Sequence, residues 1–154
     1  MLPNYDLLVR QAKQLLEGES DLIANAANFA AFVYHKVPDL NWAGFYFRDP
    51  NGELRLGPFQ GQPACSRLPK GGGVCGVAVG ERRTVVVDNV LSYAEHIACD
   101  SASRSEIVVP ILDGDEVLAV FDVDSPEFSR FTPRDREGIE RLVEAFVASV
   151  VLSS

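Results

Sequence analysis

The chain reads as an α+β fold, one antiparallel sheet with helices packed on one face. Apolar residues recur at helical spacing near both ends, whereas the middle switches to period-two runs joined by turn residues, which implies hairpins and antiparallel pairing. Length is the third observation. At 154 residues the chain can bury one core without a metal or disulfide as support, so residues 1–154 are expected to form a single domain.

The elements run in order. Residues 4–17 place Leu7, Leu8, Ala12, Leu15 and Leu16 at helical spacing and stop at Gly18. Ser20 is expected to cap a second helix, with Leu22, Ile23, Ala26, Phe29, Ala30, Val33 and Tyr34 as its buried stripe and Pro38 as its limit. From Asn41 the period becomes two. Residues 42–47 form a strand, Asp49-Pro-Asn-Gly52 a turn, and residues 53–58 the start of the partner strand, with Pro58 and Pro63 demoting the rest of that run to an edge or loop. Three glycines at 71–73 precede a short apolar helix near 74–79. Residues 84–88 form a short buried strand, and 89–105 an irregular segment around Cys99. Residues 105–111 and 116–124 make a second hairpin. Thr132 caps a final helix with Pro133 in its first turn and Ile139, Leu142, Val143, Phe146, Val147 and Val150 toward the core.

Composition excludes some functions. A net charge of −8 with 14 scattered cations argues against binding nucleic acid. No apolar run is long enough for a bilayer and the N-terminus lacks a secretory pattern, so a cytoplasmic protein is expected.

Reactive groups concentrate in residues 96–110, where one His, one Cys, three hydroxyls, two flanking carboxylates and Arg104 precede a short apolar strand. Three cysteines are an odd number without the spacing of a small secreted scaffold. His96, Cys99, Cys65 and Cys75 would make a Cys3His zinc set, although paired C-x-x-C knuckles are missing. Redox work is the other reading, because Cys65 and Cys99 lie in loops that can bring two sulfurs together. Cys75, flanked by Gly and Val, has the most structural context. Asp122 and Asp124 are two apart on a strand and point to one face. They are either exposed at a fraying strand end or part of an ammonium or metal site joined by Glu106. Asp100 and Glu106 would raise the Cys99 thiol pKa, so Arg104, His96 or backbone N–H groups must compensate.

The motifs Asn41-Trp-Ala-Gly-Phe-Tyr46, Leu56-Gly-Pro-Phe-Gln-Gly-x-Pro-Ala-Cys65, Gly73-Val-Cys-Gly76, His96-Ile-Ala-Cys-Asp100, Ser105-Glu-Ile-Val-Val-Pro110 and Asp122-Val-Asp-Ser-Pro126 resemble the free methionine-(R)-sulfoxide reductases, a GAF-domain family. The resemblance spans almost the whole chain. It implies a GAF fold and reduction of free methionine-(R)-sulfoxide, with Cys99 as catalytic cysteine, Cys65 as resolving cysteine and Cys75 as a third cysteine that assists or exchanges. It further implies that Glu106, Asp122 and Asp124 surround the substrate, that Trp42 walls its methyl group, and that no metal or bound cofactor is needed. Thioredoxin, or dithiothreitol in its place, would restore the thiols, and a homodimer is expected because GAF domains often pair. The alternative is a non-catalytic GAF sensor of a small ligand, or a thiol redox switch.

Overall fold

The structure is a computed structural model that describes residues 2–93, 99 and 101–152. Its elements are α1 (Tyr5–Leu16), α2 (Leu22–Lys36), β1 (Trp42–Arg48), β2 (Leu54–Gly61), β3 (Arg67–Leu68), α3 (Gly73–Glu81), β4 (Val85–Val87), a single 3-10 turn (Val90–Ser92), β5 (Ser105–Asp113), β6 (Glu116–Ser125) and α4 (Pro133–Ser149). The strands form one six-stranded sheet in the order β3-β2-β1-β6-β5-β4. Every pairing is antiparallel, as the hairpin reading requires.

The caps follow local chemistry. Asn4 caps α1 and the Thr132–Asp135 pair forms a capping box on α4 with proline in its first turn. The cap of α2 is Asp21, whose carboxylate accepts from the Ala24 N–H, and not the expected Ser20. Ala24 lies three positions beyond Asp21, which puts the short acceptor of Asp21 over the exposed N–H groups of the first turn. Three residues expected on the buried stripes face outward instead: Leu7, Leu15 and Ile23 are exposed, and Tyr5 and Val9 take the inward positions on α1. The helical phase is set by what the sheet offers, not by hydrophobicity alone.

Helices α1, α2 and α4 cover one face of the sheet, as expected. Between them and the strands, Phe29, Phe45, Phe121 and Phe146 are all fully buried, with ring centroids 4.8–6.0 Å apart in the pairs they form. Truncating one of them to alanine costs about 3–5 kcal/mol. The remaining helix, α3, departs from the one-face expectation. It packs Val74, Cys75 and Ala78 on the opposite face against Trp42, Tyr46, Val108 and Val120. This is possible because β1, β5 and β6 are apolar in both alternations, so the sheet has two faces to cover. Pro58 lies in β2 beyond Leu54 and Arg55, the positions paired with the two-residue β3, so the outer side of β2 is an edge there and tolerates proline.

Candidate active site

Strand register builds the site. On the α3 side, Trp42 of β1 stands opposite Asp124 of β6, which in turn stands opposite Glu106 of β5. One step along, Gly44 stands opposite Asp122, which stands opposite Val108. Directly paired residues share a face, so three carboxyl groups and an indole project to one side. Gly44 lets Phe59 and the Trp42 ring close in over that side, since a Cβ there would overlap both. The α3 end of the pocket depends on Gly73, at φ 68°, and on Gly76, where a Cβ would overlap the Gly71 backbone.

The resulting pocket has an empty volume of about 490 Å3, counting the open solvent at its mouth. Trp42, Tyr46, Cys75, Cys99, Ser103, Glu106, Asp122 and Asp124 line it, with Ala64, Leu68, Gly73 and Val74. Cys99 is joined to Cys65 by a disulfide, the two Cα atoms 5.4 Å apart. The loop reading of these two cysteines therefore holds, and the Cys3His zinc reading does not for this state, because two of its four ligands are bonded to each other. His96 and Asp100 lie outside the described residues. Arg104 donates to the carbonyls of Ser101 and Ser103, which stiffens the chain just after Cys99.

The pocket floor is unusually acidic for its burial. Glu106 and Asp122 are each 6 % exposed, which removes the fraying-end reading of Asp122. The carboxyl of Glu106 is pushed well above the usual carboxylate range by burial first, then by the charges of Asp122 and Asp124 and hydrogen bonds with both. Cys75 is the free cysteine among the described residues, and its thiol donates to Asp122 Oδ2 at 3.6 Å. Burial and the adjacent Asp122, Glu106 and Asp124 push that thiol up as well, so it stays protonated. Cys75, Glu106 and Asp122 offer ligand atoms within 4.8 Å of one another, which makes them the metal-capable trio among the described residues.

Two neighbours were given no role from the sequence. Ser103 is buried, accepts from Asn41 Nδ2 at 3.1 Å and donates to Asp124 Oδ2 at 3.2 Å, linking the Cys99 loop to the floor. Tyr46 donates to the Cys65 carbonyl at 2.9 Å. The spacing of Tyr46 from Trp42, four residues along a period-two strand, was the signal that would have put it on this face.

A pocket over one sheet face, bounded by a short helix and loops, is the arrangement of the ligand-holding class of GAF domains. Residues 24–149 match the GAF domain family. The free methionine-R-sulfoxide reductase of Escherichia coli strain K12 is 44% identical over 90% of this chain and 84% of its own length. The reduced structure titled fRMsr of Staphylococcus aureus is 46% identical with a TM-score of 0.91, covering 96% of this chain and 95% of that one. A free methionine-R-sulfoxide reductase from Neisseria meningitidis, solved in complex with its substrate, is 39% identical with a TM-score of 0.90 over 94% of this chain and 87% of that one. The chain belongs to the free methionine-R-sulfoxide reductase family of GAF-domain oxidoreductases.

Proposed function

We propose that this chain reduces free methionine-(R)-sulfoxide to methionine by a thiol cycle. The observation that carries the reading is the Cys65–Cys99 disulfide at the mouth of a pocket floored by three carboxyl groups. The named activity of the E. coli relative and the substrate complex of the Neisseria relative support it.

In this reading Cys99 attacks the sulfoxide sulfur. The oxygen is transferred to Cys99 as a sulfenic acid, and methionine leaves. A sulfoxide sulfur is a poor electrophile until its oxygen gains a proton. Glu106, held neutral by burial and two aspartates, is the group placed to give one. Asp122 and Asp124 hold the substrate's ammonium, which a residue inside a polypeptide lacks, and this favours the free amino acid. The Trp42 ring, 2 % exposed and stacked 5.2 Å from Phe59, walls the methyl group that becomes partly positive as sulfur is attacked. Cys65 then closes the disulfide, releasing water. Cys75 completes the pocket wall as a neutral thiol and exchanges with the disulfide only as a secondary route.

Thioredoxin or dithiothreitol restores the thiols, and a cycle of this kind belongs in a reducing compartment such as the cytoplasm. The whole chain acts as one domain, and exposed Leu7, Leu15 and Ile23 supply apolar surface for a homodimer. No helix among the described residues is long and apolar enough to cross a membrane.

The test is a coupled assay of NADPH consumption through thioredoxin and its reductase, with separated R and S isomers of free methionine sulfoxide. Turnover is expected with the R isomer alone. Tight, reversible binding of that isomer without turnover would replace the enzyme by a sensor.

A further inference from the structure

Two aromatic side chains of β1 hold the segment that carries Cys65. Trp42 and Tyr46 lie on one face of the strand with their rings stacked at 5.9 Å. Each ring carries one polar atom, and each polar atom donates to a backbone carbonyl of that segment. Trp42 Nε1 donates to Gln62 at 3.1 Å and the Tyr46 hydroxyl to Cys65 at 2.9 Å. The segment leaves its pairing with β1 at Gly61 and rejoins the sheet at Ser66, whose carbonyl accepts from the Leu56 N–H. Between those points it contains Pro63, which has no N–H to give a ladder.

The bond to Cys65 is made to its main chain, so the thiol stays free to react. A carbonyl is unchanged when the thiol becomes a disulfide, so the anchor serves both oxidation states. Tyr46 is 2 % exposed. Burial, and then the charge of Asp122, push its phenol further above its ordinary range, so the hydroxyl remains a donor.

We infer that Tyr46 is a positioning residue for disulfide closure: its hydroxyl, by holding the Cys65 carbonyl, keeps the Cys65 thiol within bonding reach of Cys99. The inference rests on the thiol cycle proposed above and concerns its second half. There the Cys65 sulfur attacks the sulfenic sulfur of Cys99, the S–S bond forms, the S–O bond breaks, and the oxygen leaves as water with the proton Cys65 gives up. Disulfide closure requires Cα atoms within about 7 Å of each other, and a loop that wanders spends less time there.

The experiment uses the reduced full chain and Tyr46→Phe, mixed without reductant with one equivalent of free methionine-(R)-sulfoxide. A parallel arm uses hydrogen peroxide, which oxidises Cys99 to the sulfenic acid as its O–O bond breaks and water leaves. Disulfide is followed by loss of free thiol, and sulfenic acid by the mass of a dimedone adduct on Cys99. Losing one anchoring hydrogen bond is expected to slow closure about tenfold in both arms and to raise the trapped adduct accordingly. A purely structural role for Tyr46 would lower the melting temperature without raising the adduct. Trp42→Phe in the peroxide arm keeps an aromatic ring, removes the second anchor and is expected to slow closure a few-fold; it carries the test if Tyr46→Phe does not fold. Closure at the parent rate in the peroxide arm overturns the inference. If the parent releases no methionine but Tyr46→Phe still delays closure after peroxide, the substrate reading has failed and the anchor stands.

Discussion

Asp135 and Glu106 are both buried carboxyl groups, 2 % and 6 % exposed, and they are treated in opposite ways. Asp135 accepts from Tyr5 Oη at 2.7 Å, from the Thr132 N–H and hydroxyl at 3.0 and 2.9 Å, and from Arg130 Nη1 at 3.0 Å. Burial works against its charge, yet these donors and the Arg130 cation outweigh it and hold its carboxyl below the usual range. Glu106 faces two aspartates, and burial and like charge push it up together. Burial therefore does not decide the state of a carboxyl; its partners do. Asp135 locks α1 to the start of α4, whereas Glu106 is pushed toward its neutral form, the state from which the proposed cycle would take a proton.

That contrast is sharpened first at the thiol the acid pocket serves. Cys99→Ser leaves no nucleophile for sulfur, and methionine release should fall by at least about 10⁴-fold in single-turnover assays while the melting curve stays near that of the reduced parent. Asp135→Asn should do the reverse. It leaves Arg130, 9 % exposed at its side chain, without its anion and should cost about 3 kcal/mol by denaturant titration, with kcat in the remaining folded protein nearly unchanged. Glu106→Gln should lower kcat/KM about 10²-fold but leave stability equal or higher near neutral pH, since it removes the cost of keeping buried a carboxyl that ionises in the unfolded chain. A loss of stability equal to that of Asp135→Asn would break the comparison.

The two sites also predict opposite responses to pH. Glu106 binds its proton more tightly folded than unfolded, so its contribution to stability is present below its ordinary value of 4.5 and declines as pH rises through its raised one. Methionine release should decline over the same alkaline approach as the donor is lost. Asp135 binds its proton less tightly folded, so its contribution is complete above its ordinary value of 3.8 and is lost as pH falls through the depressed one. Melting and single-turnover rates measured across pH in the parent, Glu106→Gln and Asp135→Asn separate the two. The smallest effect is expected from Cys75→Ser, within a few-fold of parent turnover with thioredoxin, because a hydroxyl donates to Asp122 much as the thiol does.

Much of this was legible along the chain. The hairpin over Asp49-Pro-Asn-Gly52 and the capping box at Thr132 are local chemistry, and the structure keeps both. The shared face of Asp122 and Asp124 comes from strand period alone. The outward turn of Leu7, Leu15 and Ile23 was not legible, because an apolar side chain reads the same whether or not a neighbour arrives to cover it. Nor was the placement of α3 opposite the other helices, which depends on strands apolar in both alternations.

The sequence by itself determined the four helices and the five longer strands, that the strands pair antiparallel, and which residues carry reactive groups, since propensity, period and turn chemistry act over a few residues; the two-residue β3 and the 3-10 turn at Val90–Ser92 were not among them. Only the tertiary structure decided that Glu106 stands opposite Asp124, that Phe59 and Trp42 close in over Gly44 beside Asp122, and that the Tyr46 hydroxyl bonds the Cys65 carbonyl. Those are matters of register between strands far apart in sequence, and a carboxyl's charge or a thiol's reach depends on what that register sets beside it.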